Sequence, residues 1–282
     1  FEHFVSIADA MNQFGGNGLW DEQDGFYYDR LMIGNQEIPM RIKSLVGLMP
    51  LISVEVLDQA RIDKLPGFKK RLEWFMRHRS DLGNHISYCD TAKCEAGDKL
   101  LLAIPSKERL EKLMTHMLNS DEFLSDYGIR SLSKHHRDEP FVLTLSGEEM
   151  TVRYVPGESD SWMFGGNSNW RGPIWFPINY LLIEAMEAYY HYYGDTIQVE
   201  MPTGSGNKVN LQQAADEIKR RLNAIFIPNE NHCVPSTQRH PYLHVNQQWE
   251  GIHLFHEYFD GDTGEGLGAA HQTGWTALLT RL

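Results

Sequence analysis

The sequence predicts a mainly α-helical protein with short β-hairpins between its helices. Apolar residues recur at helical spacing in six segments, near 1–14, 44–60, 65–79, 107–119, 174–193 and 210–226, and a further helix opens at about His271. Only two segments alternate between apolar and polar residues, as half-buried strands do. Strands and helices do not alternate as a parallel sheet requires, so we expect the helices to form the core.

Residues at the ends of these segments support the helices. Gly194 follows the tyrosine-rich segment and predicts its C-terminal end, because glycine readily adopts the backbone conformation found there. Asn210 is placed to cap the helix that begins at Leu211. Pro173 suits the first turn of the helix near 174.

Two hairpins and several long loops separate the helices. The alternating segments 26–42 and 141–155 are expected to turn at Gly34-Asn35 and at Ser146-Gly147. Loops rich in glycine, aspartate and aromatic residues are expected at 14–29, 156–175 and 259–275, and the stretch 80–106 is expected to be a surface excursion.

The composition is that of a globular protein. Of 282 residues, 41% are apolar and 23% are charged, which is enough apolar material for a sizeable core. The net charge of −12, with no cluster of lysine and arginine, argues against a nucleic-acid surface, and no apolar run is long enough to cross a bilayer. Three cysteines do not make a disulfide framework and favour a reducing, cytoplasmic location. These features do not indicate an oligomeric state.

Both ends of the sequence fall inside helical patterns. Residue 1 is Phe, and helical spacing begins there with no capping residue before it. The other end stops within the pattern Thr276-Ala-Leu-Leu-Thr-Arg-Leu282. We therefore expect residues 1–282 to be a single partial domain of a larger chain, with its N-terminal part missing.

Tryptophan residues indicate a carbohydrate site. Of seven tryptophans, Trp74 alone stands in an ordinary amphipathic helix, whereas others stand among glycine, aspartate, asparagine and arginine, namely Trp20, Trp162, Trp170, Trp175 and Trp275. An indole ring packs against the C–H face of a pyranose while nearby polar groups bind its hydroxyls. A structural role is equally open for any one of them, but the group favours a ligand surface.

The first cluster of polar and aromatic residues runs from Gly18 to Asp29. Its candidate sugar-binding residues are Trp20, Asp21, Asp24, Tyr27 and Asp29. Its carboxylates lack the spacing of a calcium loop, so we predict no metal there. Asp29 could instead pair with Arg30 or Arg41, and Asp24-Gly25 could simply form a turn.

The second cluster runs from Phe164 to Tyr180 and leads into a predicted helix. Its candidate substrate-binding residues are Trp170, Arg171, Gly172, Trp175 and Asn179. Free N–H groups at the helix start and a fixed guanidinium both suit sugar hydroxyls. Asn179 could merely cap a turn within the packing. Gly165-Gly166 lacks the Lys-Ser/Thr ending of a phosphate loop, so no nucleotide cofactor is predicted.

The third cluster lies between Phe255 and Thr276. Aromatic neighbours would desolvate Glu257, which favours a catalytic carboxylate. Glu265, His271 and Trp275 are candidate substrate-binding residues. The order of His253, His256 and Glu257 does not match the zinc helix H-E-x-x-H. Cys89 and Cys94 with His85 make only a loose metal pattern, which we interpret as structural or incidental.

Five motifs in order resemble glycoside hydrolase family 63, in its bacterial and archaeal branch. They are Trp20-Asp-Glu-Gln-Asp-Gly-Phe-Tyr-Tyr-Asp29, Leu65-Pro-Gly-Phe-Lys-Lys-Arg-Leu-Glu-Trp-Phe75, Phe123-Leu-Ser-Asp-Tyr-Gly128, Gly165-Gly-Asn-Ser-Asn-Trp-Arg-Gly-Pro173 and His271-Gln-Thr-Gly-Trp275. The resemblance covers nearly the whole chain. It implies an incomplete (α/α)6 barrel, and an inverting α-glycosidase, most simply an α-glucosidase, that needs no cofactor.

The resemblance also implies residue roles. The family's catalytic base stands in a Glu-Tyr-x-Asp context, which here is Glu257-Tyr-Phe-Asp260. Its general acid is an aspartate in a Gly-x-Asp-Asn segment upstream of the Trp-Asp-Glu loop, and no such segment occurs in these 282 residues. We therefore expect the acid to lie before residue 1 and the chain alone to be inactive.

Several alternatives remain open from the sequence. Glu265 is a rival base, although its glycine-rich loop suits ligand contact better than a held carboxylate. Related enzymes hydrolyse mannosylglycerate or glucosylglycerate, and a charged aglycone would call for basic residues such as Arg130, Arg137 or Arg153, each of which could equally be a surface residue. A sugar epimerase using paired histidines and a carbohydrate-binding half-domain without activity are readings from other classes.

Overall fold

The computed structural model describes residues 1–13, 18–79, 86–88, 99–158, 160, 171–230, 233–240, 243 and 252–282. In these ranges the α-helices are α1 Glu2–Gln13, α2 Leu45–Ile52, α3 Gln59–Asp63, α4 Pro66–His78, α5 Lys107–Met117, α6 Phe176–Tyr193, α7 Leu211–Ala224 and α8 Thr273–Thr276. Short 3-10 helices lie at Lys134–Arg137, Gly194–Thr196, Pro235–Thr237 and Ala277–Arg281.

Short antiparallel strands connect the helices. The hairpins are β1 Trp20–Asp21 with β2 Phe26–Tyr27, β3 Asp29–Ile33 with β4 Gln36–Met40, β8 Leu124–Ser125 with β9 Gly128–Ile129, β10 Phe141–Leu145 with β11 Glu148–Val152, β12 Gln198–Glu200 with β13 Lys208–Asn210, and β14 Tyr258–Phe259 with β15 Gly266–Leu267. One three-stranded sheet has the order β5-β7-β6, from Val54–Asp58, Lys99–Ala103 and Ile86–Tyr88.

Many of the predicted elements are confirmed. Asn210 caps α7 with a capping box, in which its side chain accepts the Gln213 N–H and the Gln213 side chain accepts the Asn210 N–H. Gly194 ends α6 with a φ of 54°. The long hairpins turn where expected, since Ile33 pairs with Gln36 across Gly34-Asn35 and Leu145 pairs with Glu148 across Ser146-Gly147.

Two expectations about the region 44–106 are wrong. The predicted helix 44–60 ends at Ile52, and Val54–Asp58 forms strand β5 instead. That strand pairs with β7, which lies in the stretch expected to be a surface excursion, and Leu101 of β7 is 1% exposed. Strand pairing between segments so distant in sequence outweighs the local apolar spacing. Residues 80–85 and 89–98 of that stretch lie outside the described residues.

Helix α6 begins later than Pro173 suggests. Trp175 is its N-cap residue, and Pro177, not Pro173, occupies the first turn. The carbonyl oxygen of Pro173 accepts the Ser131 N–H at 3.0 Å, and Ile174 forms β-bridges to Arg130 and Phe259. These pairings hold residues 173 and 174 in an extended conformation, so the helix starts after them.

The main core lies between α2, α5, α6 and α7. Helix α6 contributes a buried stripe at helical spacing, with Leu182, Met186 and Tyr189 all at most 1% exposed. It packs on α7 and α2, and β5 covers part of its side. Helices around a shared core with antiparallel hairpins at their ends are consistent with a fragment of an α/α-barrel domain. Because the fold combines helices with many short strands, the expectation of a mainly helical protein is correct in part. In the described part of the chain no helix combines the length and the apolarity that crossing a bilayer requires.

A ladder of backbone pairs joins four loops at one end of these helices. Ser44 bridges Leu132, Arg130 bridges Ile174, and Ile174 bridges Phe259. The Ile174 N–H donates to the Phe259 oxygen at 2.7 Å and the Phe259 N–H donates back at 3.0 Å. This ladder sets the starts of α2 and α6 beside the hairpin β14–β15.

A half-buried ion network supports the loop before α2. Glu122 accepts from Lys43 Nζ at 2.9 Å and contacts His116 Nδ1 at 2.8 Å. The other ring nitrogen of His116 lies 2.7 Å from the carbonyl oxygen of Asp24. Burial alone would raise the pKa of Glu122, but the hydrogen bonds and charges of His116 and Lys43 lower it below its usual value.

Replacing Asn210 with Ala should lower the free energy of unfolding by about 1 kcal/mol, because the first turn of α7 loses its side-chain acceptor. Urea denaturation measures this change. Asn223→Ala, at the other end of α7, is the control, and an equal loss in both variants would contradict a specific capping role.

Replacing Glu122 with Gln should lower the free energy of unfolding by about 1–3 kcal/mol at pH 7, since Lys43 loses its half-buried counter-charge. The folded-state pKa of Glu122 is lowered, so its contribution is present above the usual pKa of 4.5 and is lost as pH falls through the folded value. The difference from wild type should therefore shrink below about pH 4.5. Urea titrations at several pH values test this, with the exposed Glu111→Gln as control; a pH-independent difference would contradict it.

Candidate functional site

Glu257 lies at the base of the hairpin β14–β15. Its N–H donates to the Ala269 oxygen at 3.0 Å, and the Ala269 N–H donates to Glu257 Oε2 at 3.2 Å. At Gly268, where φ is +68°, an added Cβ would come within 2.8 Å of Oε2. The half-buried carboxylate is therefore held against the returning strand by a backbone donor, as a positioned base requires.

An aromatic wall flanks this hairpin. Trp175 stacks on Tyr258 with centroids 4.9 Å apart, and Trp275 meets Trp175 edge-on at 5.8 Å. Trp175 and Tyr258 are each 5% exposed, whereas Trp275 is 43% exposed. The structure thus joins the second and third clusters and leaves one indole of the wall accessible to a ligand.

Glu158 lies beside the aromatic wall, and no sequence pattern identified it as a candidate. Its Oε1 accepts the Tyr258 hydroxyl proton at 3.0 Å, and the residue is exposed. The two residues are 100 positions apart, so no local pattern connects them. Glu158 places a second carboxylate beside the aromatic rings.

Arg171 and Gly172, the candidates just before α6, are both buried. Trp170 lies outside the described residues. Arg171 is 0% exposed. Burial lowers the pKa of its guanidinium, although the negative charge of Asp160 partly opposes this shift. Gly172 has a φ of +139°, and an added Cβ would overlap the carbonyl oxygen of Val155. Its role here is a close backbone approach that any side chain would block.

Asn179 is also part of the packing. It is 0% exposed, and its Oδ1 accepts the Ile129 N–H at 2.7 Å. Its Nδ2 donates to the oxygens of Ile129 at 3.1 Å and Trp175 at 2.9 Å. The amide therefore ties β9 to the start of α6 and fixes Trp175, so the packing alternative left open by the sequence describes this residue.

The first cluster packs its aromatic residues inward. Trp20 and Tyr27 are 2% and 3% exposed, and the Tyr27 hydroxyl donates to Asn12 Oδ1 at 2.9 Å. The Arg109 guanidinium lies 4.9 Å from the Trp20 ring centroid. These two rings pin the loop to α1 and α5, which is the structural role that the sequence left equally open.

The carboxylates of the first cluster are mostly engaged. Asp21 accepts from Arg41 Nη2 at 2.8 Å, and Arg41 lies 3.7 Å from Asp24. The expected partners of Asp29 are wrong, because Arg30 pairs with Glu37 at 2.5 Å and Arg41 with these two aspartates, and Asp29 is exposed. Arg41 lies three residues before Ser44 of the ladder. Its contacts with Asp21 and Asp24 therefore connect this cluster to the end of the helices where the ladder and the hairpin β14–β15 lie.

The remaining candidates of the third cluster differ in environment. Glu265 is 8% exposed and forms an ion pair with Arg239, so its carboxylate is held in place although its loop is rich in glycine. His271 is exposed. His256, next to Glu257, is 4% exposed, and burial together with the charge of His240 lowers its pKa. It is therefore neutral at pH 7.

Metal ligation has no support in the described ranges, where no group of three or more histidine, cysteine, aspartate or glutamate residues could hold an ion. The loose pattern of His85, Cys89 and Cys94 lies outside those ranges. Cys233, which is described, is a free thiol.

Known proteins are similar to this chain in sequence. The chain is 43% identical over 296 residues to the uncharacterized protein YMR196W of Saccharomyces cerevisiae, and it spans 27% of that protein's length. It is 27% identical over 183 residues to the mannosyl-oligosaccharide glucosidase of S. cerevisiae, covering 65% of this chain and 16% of the relative. It is 24% identical over 240 residues to a probable mannosyl-oligosaccharide glucosidase of Schizosaccharomyces pombe, covering 78% and 22%.

The family comparison agrees with these relatives. Residues 99–276, which include α5, α6, α7 and the hairpin of Glu257, match the mannosylglycerate hydrolase MGH1-like glycoside hydrolase domain. The resemblance to family 63 is thereby supported as a distant similarity to mannosyl-oligosaccharide glucosidases. The chain belongs to the MGH1-like glycoside hydrolase domain family.

Proposed function

We propose that this chain supplies the catalytic base and much of the sugar pocket of an inverting α-glycosidase, most simply an α-glucosidase. The observation that carries the proposal is Glu257, held by the Ala269 N–H beside the wall of Trp175, Tyr258 and Trp275. A held carboxylate next to an accessible indole combines the two groups that sugar hydrolysis needs, a base and a stacking surface.

In the proposed reaction, Glu257 removes a proton from a water molecule. The oxygen of that water attacks the anomeric carbon while the bond to the leaving oxygen breaks, and a general acid protonates that oxygen. An inverting enzyme keeps the two carboxyl groups about 6.5–9.5 Å apart so that the water fits between the base and the sugar. The acid is proposed to be an aspartate outside these 282 residues, so residues 1–282 alone would lack one half of the proton transfer.

The second candidate substrate is a mannosylglycerate or glucosylglycerate, which the family match favours. Such substrates carry a carboxylate that needs a basic residue. Arg130 and Arg137 both pair with Asp262, and Arg153 pairs with Asp160, so these three charges are already engaged. This engagement supports a neutral glycoside as the first choice.

The non-hydrolytic readings have less support. An epimerase would need two histidines that face one sugar, but His256 is buried and the Trp-Arg-Gly-Pro and Glu-Tyr contexts do not suit that chemistry. A carbohydrate-binding half-domain would explain the aromatic wall but not the held carboxylate. Product analysis separates them, because released monosaccharide indicates hydrolysis, an isomerised sugar indicates epimerisation, and binding without product indicates a binding module.

Replacing Glu257 with Gln in the full-length protein should reduce kcat on aryl α-glucosides and glycosylglycerates by about 10²–10⁴-fold, because the water loses its base. Substrate affinity should change little. Release of sugar, measured by chromatography and NMR, also reports whether the anomeric configuration inverts. Glu111→Gln is the control, and a larger loss in Glu265→Gln than in Glu257→Gln would contradict the assignment.

Replacing Trp275 with Ala should raise KM by about tenfold, equal to about 1.4 kcal/mol, because the sugar loses a stacking surface. Trp74→Ala is a matched control, since Trp74 is 44% exposed and Trp275 is 43% exposed, yet Trp74 lies on α4 and contacts Arg71 and His78 instead. Equal effects in both variants would contradict a sugar-binding role for Trp275.

A further inference from the structure

We infer that Asp262 is a positioning residue for Glu257, because its carboxylate clamps the tip of the hairpin that carries the base onto three other segments of the chain. Asp262 lies five positions after Glu257, in the turn between β14 and β15. The inference rests on the proposed function, in which Glu257 activates water. It gives a task to a carboxylate that the sequence motifs left unassigned.

The clamp has three partners. Asp262 Oδ1 accepts from the Tyr154 hydroxyl at 2.8 Å and from Arg130 Nη2 at 3.2 Å. Its Oδ2 accepts from Arg137 Nη2 at 2.5 Å. The Tyr154 hydroxyl also accepts from Arg130 Nε at 3.0 Å. The four side chains therefore form one connected network of charge-assisted hydrogen bonds.

These partners are themselves anchored in separate places. Arg130 follows β9, its side chain is 7% exposed, and its Nη1 donates to the Leu124 oxygen at 2.5 Å. Arg137 ends a 3-10 helix, and Tyr154, which is 4% exposed, follows β11. The tip of the hairpin is thus tied to three elements whose positions are set by their own packing.

The opposite charges of Asp262 and its two arginine partners strengthen the clamp. The side chain of Asp262 is 29% exposed, and burial alone would raise its pKa, but the hydrogen bonds from Tyr154 and Arg137 and the charges of both arginines lower it. Asp262 is therefore ionised at neutral pH. Removing its charge would leave the buried Arg130 without a counter-ion, which is costly in a partly desolvated site.

Further contacts of the turn between β14 and β15 also hold the hairpin in place. Asp260 Oδ1 accepts the N–H groups of Asp262 at 2.9 Å and Thr263 at 2.8 Å, which closes the turn. At Gly261 an added Cβ would come within 2.5 Å of the Gly172 oxygen, and at Gly264 within 2.6 Å of the Tyr127 ring. The tip is seated by close backbone contact as well as by charge.

The base of the hairpin depends on this tip. Each strand has only two residues, and so short a hairpin is not stable by itself. Glu257 directly precedes β14, so a rotation of the hairpin about the Phe259–Ile174 bridge would move its carboxylate. A displacement of about 1 Å in a catalytic group costs up to about 10²-fold in rate.

The test is steady-state kinetics on the full-length protein with Asp262→Asn, which keeps the shape but removes the charge. We expect kcat to fall about 10–100-fold while KM stays within about twofold, since substrate binding does not use this carboxylate. Asp216→Asn is the matched control, because Asp216 forms an ion pair with Lys219 on the exposed face of α7, outside the clamp. It should leave kcat unchanged.

A second variant covers the case in which Asp262→Asn does not fold. Arg137 is 43% exposed, so Arg137→Gln removes one arm of the clamp at the surface, and we expect kcat to fall about threefold to tenfold. Combining Arg137→Gln with Asp262→Asn should lower kcat no further than Asp262→Asn alone, because both changes break the same contact. A wild-type kcat in Arg137→Gln alone would overturn the inference, as would fully additive losses in the double variant where it folds.

Two further results decide between the inference and the proposed function. If Glu257→Gln loses activity but Asp262→Asn keeps the wild-type kcat, or changes only KM or the melting temperature, the clamp is structural and the inference alone is overturned. If Glu257→Gln keeps the wild-type kcat, the proposed base is wrong and the inference falls with it. Loss of kcat in both variants, with KM preserved in Asp262→Asn, supports both.

Discussion

The ladder of backbone pairs at the ends of α2 and α6 is the constraint on which the candidate site depends. Ile174 exchanges hydrogen bonds with Phe259 at 2.7 and 3.0 Å and also bridges Arg130. It thereby sets the residues before α6 and the hairpin of Glu257 side by side. Backbone N–H and C=O groups in such loops must find hydrogen-bond partners when water is excluded. The pairing supplies these partners and also aligns the candidate site.

Glycine makes this alignment possible at a few positions. Gly172 reaches the carbonyl of Val155, and Gly261 reaches the oxygen of Gly172. A Cβ at either position would separate the segments that carry Arg171 and Asp260. The Trp-Arg-Gly-Pro motif therefore owes its glycine to close packing of loops, whereas the sequence suggested a role in contact with substrate.

Many charged residues near the site neutralise one another. Asp21 with Arg41, Asp262 with two arginines, and Glu265 with Arg239 are pairs or networks. Glu257 differs from them, because its carboxylate accepts from the Ala269 backbone N–H, which carries no full charge.

Local physics made the helices and long hairpins predictable. A 3.6-residue apolar period, the capping Asn210, the stop at Gly194 and the turns at residues 34 and 146 act within a few residues, so they can be read along the chain. Strand β5 was missed because its partner β7 lies more than forty positions away. Aromatic neighbours and the resemblance to a family together indicated Glu257, and its catalytic role remains a proposal.

The sequence by itself determined which residues could perform sugar chemistry, because aromatic and carboxylate side chains in glycine-rich loops are visible without coordinates. Only the tertiary structure decided which of them are buried and which remain accessible. It buried Trp20, Tyr27 and Asn179 in packing, left Trp275 partly exposed, and joined Asp262 to residues more than a hundred positions away. Burial and long-range pairing arise from the whole packed chain, and no local pattern encodes them.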